Sequence, residues 1–325
     1  MADALCRPYL PGAHTFPVDA WCAVSYLGRF APSPTGALHR GSLAAALASW
    51  LDARAHGGQW VVRMEDIDAQ RCRPGADAEI LRQLAGCALL PDGPVWWQSQ
   101  RVAAYETALE SLLAGGQAYP CACSRTDIEE TLREQGYALE PSRERVYPGT
   151  CRAGLGARKA RAWRLRLPDA PQCLVRWVDA RLGEQLDPVD RMTGDFVLKR
   201  ADGLWAYQLA VVVDDAAQGV NHVVRGEDLA ASTARQILLQ RALGLPTPSY
   251  LHVPLVCDGH GRKLSKQDGA QPFQPGYQAV LAAAMHLGLR PEGRTLGELL
   301  QSAVEQWRRD YRQPPSPGSD DDLLC

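Results

Sequence analysis

The hydrophobic pattern changes period several times along the chain, and those changes place the elements. Residues 26–31 (YLGRFA) form a short apolar run that predicts a buried strand, and Pro32, Pro34 and Gly36 then forbid its continuation. From Ser42 a run of Ala and Leu with Trp50 and Leu51 predicts a helix that begins near Gly41. Residues 59–64 (QWVVRM) predict a second, parallel strand, and residues 75–90 and 100–114 predict helices with an apolar face. This alternation argues for an α/β protein with a doubly wound parallel sheet. Residues 119–151 break the rhythm with a C-x-C, a charged helical segment and YPGTC. Residues 152–193 alternate Arg, Trp and apolar positions between turns, which predicts the short strands of an inserted subdomain. The α/β pattern resumes at Gly194, with a strand at 196–200, a tight turn at Asp202-Gly203, a segment over 207–215 that turns at the sheet edge, and an apolar strand that ends in HVVRGED. Helices are expected at 277–289 and 296–310, followed by a Pro/Ser/Asp tail. Residues 1–24, with three prolines and no period, predict a poorly structured extension.

Composition narrows the function classes. A chain of 325 residues with 46% hydrophobic content suits a globular enzyme. Its net charge of −2 argues against a protein that coats nucleic acid by bulk electrostatics, so RNA contact would need a local patch of Arg. Arg161, Arg164, Arg166 and Arg176 could form such a stripe, or simply the polar face of exposed strands. No run approaches 18 apolar residues and no basic segment precedes an apolar one at the start, so neither a membrane span nor a secretory signal is expected and a cytoplasmic protein is. The ten cysteines are scattered unlike a disulfide scaffold.

Candidate chemistry gathers at a few places. In GRFAPSPTGALHRGS the dipole of the following helix points back at the loop, where an anion should sit beside His39 and Gly41; alone, the stretch is equally an ordinary strand-to-helix turn. Among 31 Arg and 4 Lys, two lysines, Lys263 and Lys266, share the loop GRKLSKQDG, where mobile ammonium groups could reach a pyrophosphate. Glu65, Asp66 and Asp68 cluster at the carboxyl end of the second strand, the ligand edge of an open sheet; Asp66 and Asp68 also suit a solvated loop with a helix cap. Asp214 and Asp215 fit either helix capping or ribose binding. Cys121, Cys123 and Cys151 could hold zinc, but closure needs a fourth ligand and His56 and His222 are far away in sequence; three reduced thiols are the alternative.

Together, GRFAPSPTGALHRGS and KLSKQ resemble the two signature motifs of class I aminoacyl-tRNA synthetases, and RMEDIDAQR, GDFVLKRADGLWAYQLAVVVDD and HVVRGEDLAASTARQ resemble the glutamyl branch over most of residues 26–270. The chain is most similar to the short glutamyl-queuosine tRNA(Asp) synthetase family. The resemblance implies a Rossmann-like catalytic domain divided as 25–118 and 194–248, an insert at 119–193, a lysine-loop and helical part at 249–312, and a tail at 313–325. It implies ATP, bound at His39, Gly41, Lys263 and Lys266, with Mg²⁺, and places His39 and Lys266 in catalysis. L-glutamate is expected at Arg29, Phe30, Ala31, Pro32, Ser33, Glu65, Tyr207 and Arg225, with Glu65 on the α-amino group and Arg225 clamping a carboxylate. A structural zinc on Cys121, Cys123, Tyr147 and Cys151 is implied, with the phenol as fourth ligand. The implied partner is queuosine-containing tRNA(Asp), and the implied state a monomer. The 55 residues beyond Ala270 are too few for the large anticodon-binding region of a complete glutamyl-tRNA synthetase.

The implied reaction is glutamate activation to glutamyl-adenylate without tRNA, then transfer to the cyclopentenediol of queuosine at the wobble position. The chain departs from the class pattern at Ser42, where the first motif ends in a second His, and at Gln267, where the second ends in Ser. Val211 stands where full-length glutamyl enzymes tend to carry Asn, so weak affinity for glutamate is expected. The rival readings are a truncated enzyme charging the 3′ end of tRNA(Glu) and a noncatalytic nucleotide- or RNA-binding paralogue.

Overall fold

The computed structural model describes residues 26–138, 145–256 and 273–311. In chain order the elements are β1 (Leu27–Phe30), α1 (Arg40–Ala55), β2 (Gln59–Met64), α2 (Ala76–Gly86), β3 (Trp96–Trp97), α3 (Val102–Ala114), β4 (Ala118–Cys121), α4 (Arg125–Glu134), β5 (Ala162–Leu165), β6 (Leu174–Asp179), β7 (Gly183–Pro188), α5 (Val189–Met192), β8 (Val197–Lys199), α6 (Tyr207–Gln218), β9 (His222–Gly226), α7 (Ala230–Leu243), β10 (Ser249–Val253), α8 (Tyr277–His286) and α9 (Leu296–Asp310).

Seven strands form one sheet in the order β3-β2-β1-β9-β10-β6-β7, parallel throughout except for the β6–β7 pair. The central strands are buried along nearly their whole length, which explains their unbroken apolar runs; β6 alternates exposed and buried positions because it is half of an antiparallel ribbon. Side-chain alternation divides the core between the two faces. Trp60 and Val62 pack in one cluster with α1, α2, α8 and α9, whereas Val61 packs in the other with α3, α6 and α7. The expected segment over 207–215 is the start of helix α6. Its Val-rich sequence favours a strand locally, but Leu209 to Val213 are all buried, and tertiary burial decides the conformation.

Sheet membership cuts across the stretches read from sequence. β6 and β7, within 119–193, extend the main sheet, while β8, after Gly194, completes a separate antiparallel sheet in the order β4-β5-β8. Gly194 precedes β8 and bridges to Tyr147. Its φ of +63° and the 2.5 Å from an added Cβ to the Tyr147 carbonyl oxygen leave room for glycine alone. Next to it, the Asp195 carboxylate accepts hydrogen bonds from Tyr119, Arg152 and the Leu167 backbone, tying the insert together.

α1 is buried nearly all round because it lies between the sheet and helices α8 and α9. Its Asp52 accepts from Tyr26 Oη before β1 and from Trp307 Nε1 of α9, the latter at 2.9 Å. Trp307 is fully buried and stacks on Tyr311. Replacing Trp307 with Ala should therefore cost about 3–5 kcal/mol, and with Phe about 1–3 kcal/mol through the unpaired Asp52 oxygen, both read by urea denaturation. A Phe variant as stable as wild type would show that the bond to Asp52 contributes nothing.

Candidate active site

The chain runs outward from β1 to β2 and β3, then returns to the other side of β1 and runs outward again through β9 and β10. The strand order thus reverses between β1 and β9, and the carboxyl ends of those strands open into a crevice. A cavity of about 600 Å³ fills it, lined by Arg29, Phe30, Ala31, Pro32, Ser33, His39, Gly41, Glu65, Tyr207 and Arg225 among others. Ten residues separated by up to 196 positions therefore face one space. Lys263 and Lys266 lie outside the described residues. The strand that leads to them nonetheless ends in this cavity: Pro254, Leu255 and Val256 line it, and Val256 Cβ is 3.7 Å from where a Cβ on Gly41 would be.

The loop after β1 has a fixed shape. The backbone N–H groups of Glu65 and Arg73 donate to the carbonyls of Pro32 and Pro34, and Gln83 of α2 bonds both the N–H and the carbonyl of Leu38. His39 is then the N-cap of α1, its Nδ1 accepting from the N–H groups of Gly41 at 3.1 Å and Ser42 at 3.3 Å. These two N–H groups are therefore not left open to a ligand. The imidazole takes them instead, and because Nδ1 accepts, the proton of the neutral ring is on Nε2. Gly41 leaves room for that ring, which stands only 3.0 Å from an added Cβ.

Beneath the cavity floor a charge network is buried. Asp215 Oδ1 accepts from Arg63 Nη2 at 2.6 Å and from Arg29 Nε at 3.2 Å, and Asp214 accepts from Arg101, Tyr105 and Gln98. Burial alone would raise the Asp215 pKa, but Arg29 and Arg63 outweigh it and hold the carboxyl below its usual range. Asp214 and Asp215 therefore lie within α6 rather than at its cap, and their carboxylates fix the arginines. Nothing in the sequence marks Arg63, because a lone Arg in an apolar strand carries no spacing signal.

Glu65, at the end of β2, is different. Its Oε1 is buried without a hydrogen-bond partner, and its nearest cation, Arg63, is 4.0 Å away. Burial pushes its carboxyl up to about 7, opposed by Arg63 and Arg29. Arg225, at the end of β9, has the complementary character. Its hydrogen bonds go to His252, Gln236, Thr233 and, at 3.4 Å, the Tyr207 hydroxyl, all neutral groups. The site thus offers a carboxylate oxygen without a hydrogen bond and a guanidinium held only by neutral groups in one cavity, a match for the ammonium and a carboxylate of an amino acid. Val211, on α6, is buried in the core and does not line the cavity.

A second cluster lies in the insert. The sulfurs of Cys121, Cys123 and Cys151 lie within 4.8 Å of one another and could hold a metal ion. Tyr147 Oη is 3.4 Å from Cys121 Sγ and 3.7 Å from Cys123 Sγ, and Cys123 and Cys151 sulfurs are 3.6 Å apart. Tetrahedral zinc with bonds of about 2.3 Å spaces its sulfurs by about 3.8 Å, so the donor set has the right size. Arg164 Nε at 3.3 Å from Cys121 Sγ and Arg158 Nη2 at 3.4 Å from Cys151 Sγ bring positive charge to the sulfurs. The four arginines considered for an RNA-facing stripe therefore separate: Arg164 is buried over the Tyr147 ring, Arg166 covers Tyr119, and only Arg161 and Arg176 are exposed.

The family model described as tRNA synthetases class I (E and Q), catalytic domain, matches residues 26–280. The glutamyl-Q tRNA(Asp) synthetase of Leptothrix cholodnii is 60% identical over 291 residues, 87% of this chain and 97% of its own length. Those of Albidiferax ferrireducens and Burkholderia cenocepacia are each 55% identical, covering 87% and 88% of this chain and 98% and 97% of their own. Among solved structures, the glutamate-tRNA synthetase of Elizabethkingia anophelis matches with a TM-score of 0.71 at 25% identity over 86% of this chain, which spans 65% of that structure's length. With these relatives matched nearly end to end, the chain belongs to the glutamyl-Q tRNA(Asp) synthetase family of class I synthetases.

Proposed function

We propose that the crevice activates L-glutamate with ATP in the absence of tRNA, and that the protein transfers the glutamyl group to the cyclopentenediol of queuosine in tRNA(Asp), the RNA named in its relatives. The observation that carries the reading is the pairing of the orphaned Glu65 oxygen with the neutral-partnered Arg225 beside a His-capped helix terminus. In the first step an oxygen of the α-carboxylate attacks the α-phosphorus and the bond to the β-phosphate oxygen breaks, giving glutamyl-adenylate and pyrophosphate. Glu65 holds the ammonium and Arg29 and Arg225 the carboxylates, while Arg29 stays fixed by Asp215. His39 Nε2–H donates to a phosphate oxygen, and the α1 dipole adds to the same field. Lys263 and Lys266 neutralise the departing pyrophosphate, with Mg²⁺ supplying further charge compensation when bound. In the second step a queuosine hydroxyl attacks the activated carbonyl and AMP leaves. This work suits a monomer in the cytoplasm, and among the described residues no helix is long and apolar enough to cross a membrane.

Cys121, Cys123, Cys151 and Tyr147 hold a structural zinc in this reading, with Arg158 and Arg164 offsetting the excess negative charge of the ligands. Four protein ligands leave the metal no open position for catalysis.

Glutamate-dependent ATP–pyrophosphate exchange without RNA, followed by labelled-glutamate transfer to tRNA(Asp) with and without queuosine, tests the assignment. Exchange in both cases and ester only with queuosine is expected. Ester at the 3′ end of tRNA(Glu) would replace the reading with the truncated-enzyme one, and no exchange at all with that of a binding module. Ammonium capture needs ionised Glu65, whose pKa in the free protein is about 7. The kcat/KM for glutamate should therefore rise about tenfold per pH unit up to pH about 7 and level off above it. Glu65→Gln should lower the plateau and abolish that limb. Finally, Cys123→Ser should remove bound zinc, seen by atomic emission, and lower Tm by about 5 °C or more; an unchanged metal content in the variant would end the zinc assignment.

A further inference from the structure

Arg225 is oriented by a chain of groups that reaches back through the sheet. β9 and β10 run in register with Arg225 opposite His252, so their side chains emerge on the same face. Arg225 Nε donates to His252 Nε2 at 3.0 Å. An Arg nitrogen only donates, so His252 Nε2 carries no proton and the ring is the neutral Nδ1–H tautomer. That N–H points at Asp179 Oδ2, 2.7 Å away, with both side chains fully buried. Asp179, at the end of β6, is fixed in turn by the backbone N–H groups of Arg181, Leu182 and His252. Burial also lowers the His252 pKa against the pull of Asp179, in keeping with a neutral ring.

The other side of the guanidinium is held in the same manner. Nη1 donates to Gln236 Oε1 at 2.8 Å and Nη2 to Thr233 Oγ1 at 2.9 Å, while Gln236 Nε2 donates to Gln208 and so turns its oxygen toward Arg225. One Nη2–H and the long contact to Tyr207 are left for a ligand. A carboxylate in the place of His252 would hold Arg225 more strongly, and would also neutralise it. Arg29, paired with Asp215, shows that alternative within the same cavity.

We propose that His252, anchored by Asp179, is a positioning residue that aims the Arg225 guanidinium at the substrate carboxylate while leaving its charge uncompensated. The inference rests on the assignment of glutamate to this cavity. It makes Asp179 a remote determinant of amino-acid affinity, since a carboxylate one residue removed selects the tautomer without touching the cation.

The test compares wild type with His252→Leu, His252→Asn and His252→Gln in glutamate-dependent pyrophosphate exchange. Gln places an acceptor near the position of Nε2, whereas Asn is too short to reach Arg225 and Leu accepts nothing. The KM for glutamate should rise about 30-fold in the Leu and Asn variants, with kcat and the KM for ATP within about 3-fold of wild type. Gln should restore the glutamate KM to within about 3-fold of wild type. A Gln variant as impaired as Leu, a parallel rise in the KM for ATP, or wild-type KM in all three would overturn the proposal. If wild type itself performs no exchange, the assigned reaction fails. Calorimetric titration of the same folded variants with glutamate then decides: affinity retained in Gln and lost in Asn and Leu supports positioning, and equal affinities refute it.

Discussion

The Asp215 carboxylate, shared between Arg63 and Arg29 and buried beneath the crevice, is the interaction on which the site depends. A lone guanidinium in the middle of an apolar strand would be prohibitive to bury, and Arg63 is fully buried. Asp215, Asp214 and Gln218 make that burial possible from α6, across the face of the sheet. The helix is thereby locked against β1 and β2, and Tyr207 at its first turn is delivered to the cavity wall. Removing one member would leave charges stranded in low dielectric, which is far costlier than the loss of a surface ion pair.

Much of this architecture was legible in the sequence because it follows from local rules. The unbroken apolar strands, the proline-punctuated loop and the Ala-rich helix each state their own conformation, and the ligand edge follows from the parallel order they impose. Where local preference and tertiary burial disagree, the sequence misleads, as with the Val-rich start of α6. Sheet membership was also hidden. Nothing in LVRWVD distinguishes a strand of the insert from one that joins the main sheet, since the choice depends on contacts with β10, some 70 residues later. His252 and Asp179 escaped for the same reason: neither has a motif, and their partnership exists only through register.

The two cation-rich clusters solve opposite problems. Around the cysteines, Arg158 and Arg164 approach sulfurs, so positive charge is taken up by thiol groups. Around Arg225 every acceptor is neutral and positive charge is conserved for a ligand. Counting arginines along the sequence cannot separate these uses; the identity of the acceptor does. The same criterion distinguishes the two guanidiniums of the crevice. Arg29, fixed by an ion pair, supplies geometry with little net field, whereas Arg225 supplies both.

The helix terminus deserves the same accounting of donors and acceptors. Two N–H groups that could have faced an anion are taken by His39 Nδ1, so direct amide contact is given up. The ring returns an equivalent donor, Nε2–H, several ångströms further out and polarised by the amides bound at its other nitrogen. An imidazole cap therefore carries the positive end of the helix outward, past the reach of the backbone amides. Asparagine or serine would cap α1 as well, but neither carries a second donor to the far side of the ring. A histidine at this position caps the helix while keeping a second ring nitrogen beyond it, and the glycine two residues later suits it, because an added Cβ would stand only 3.0 Å from the ring.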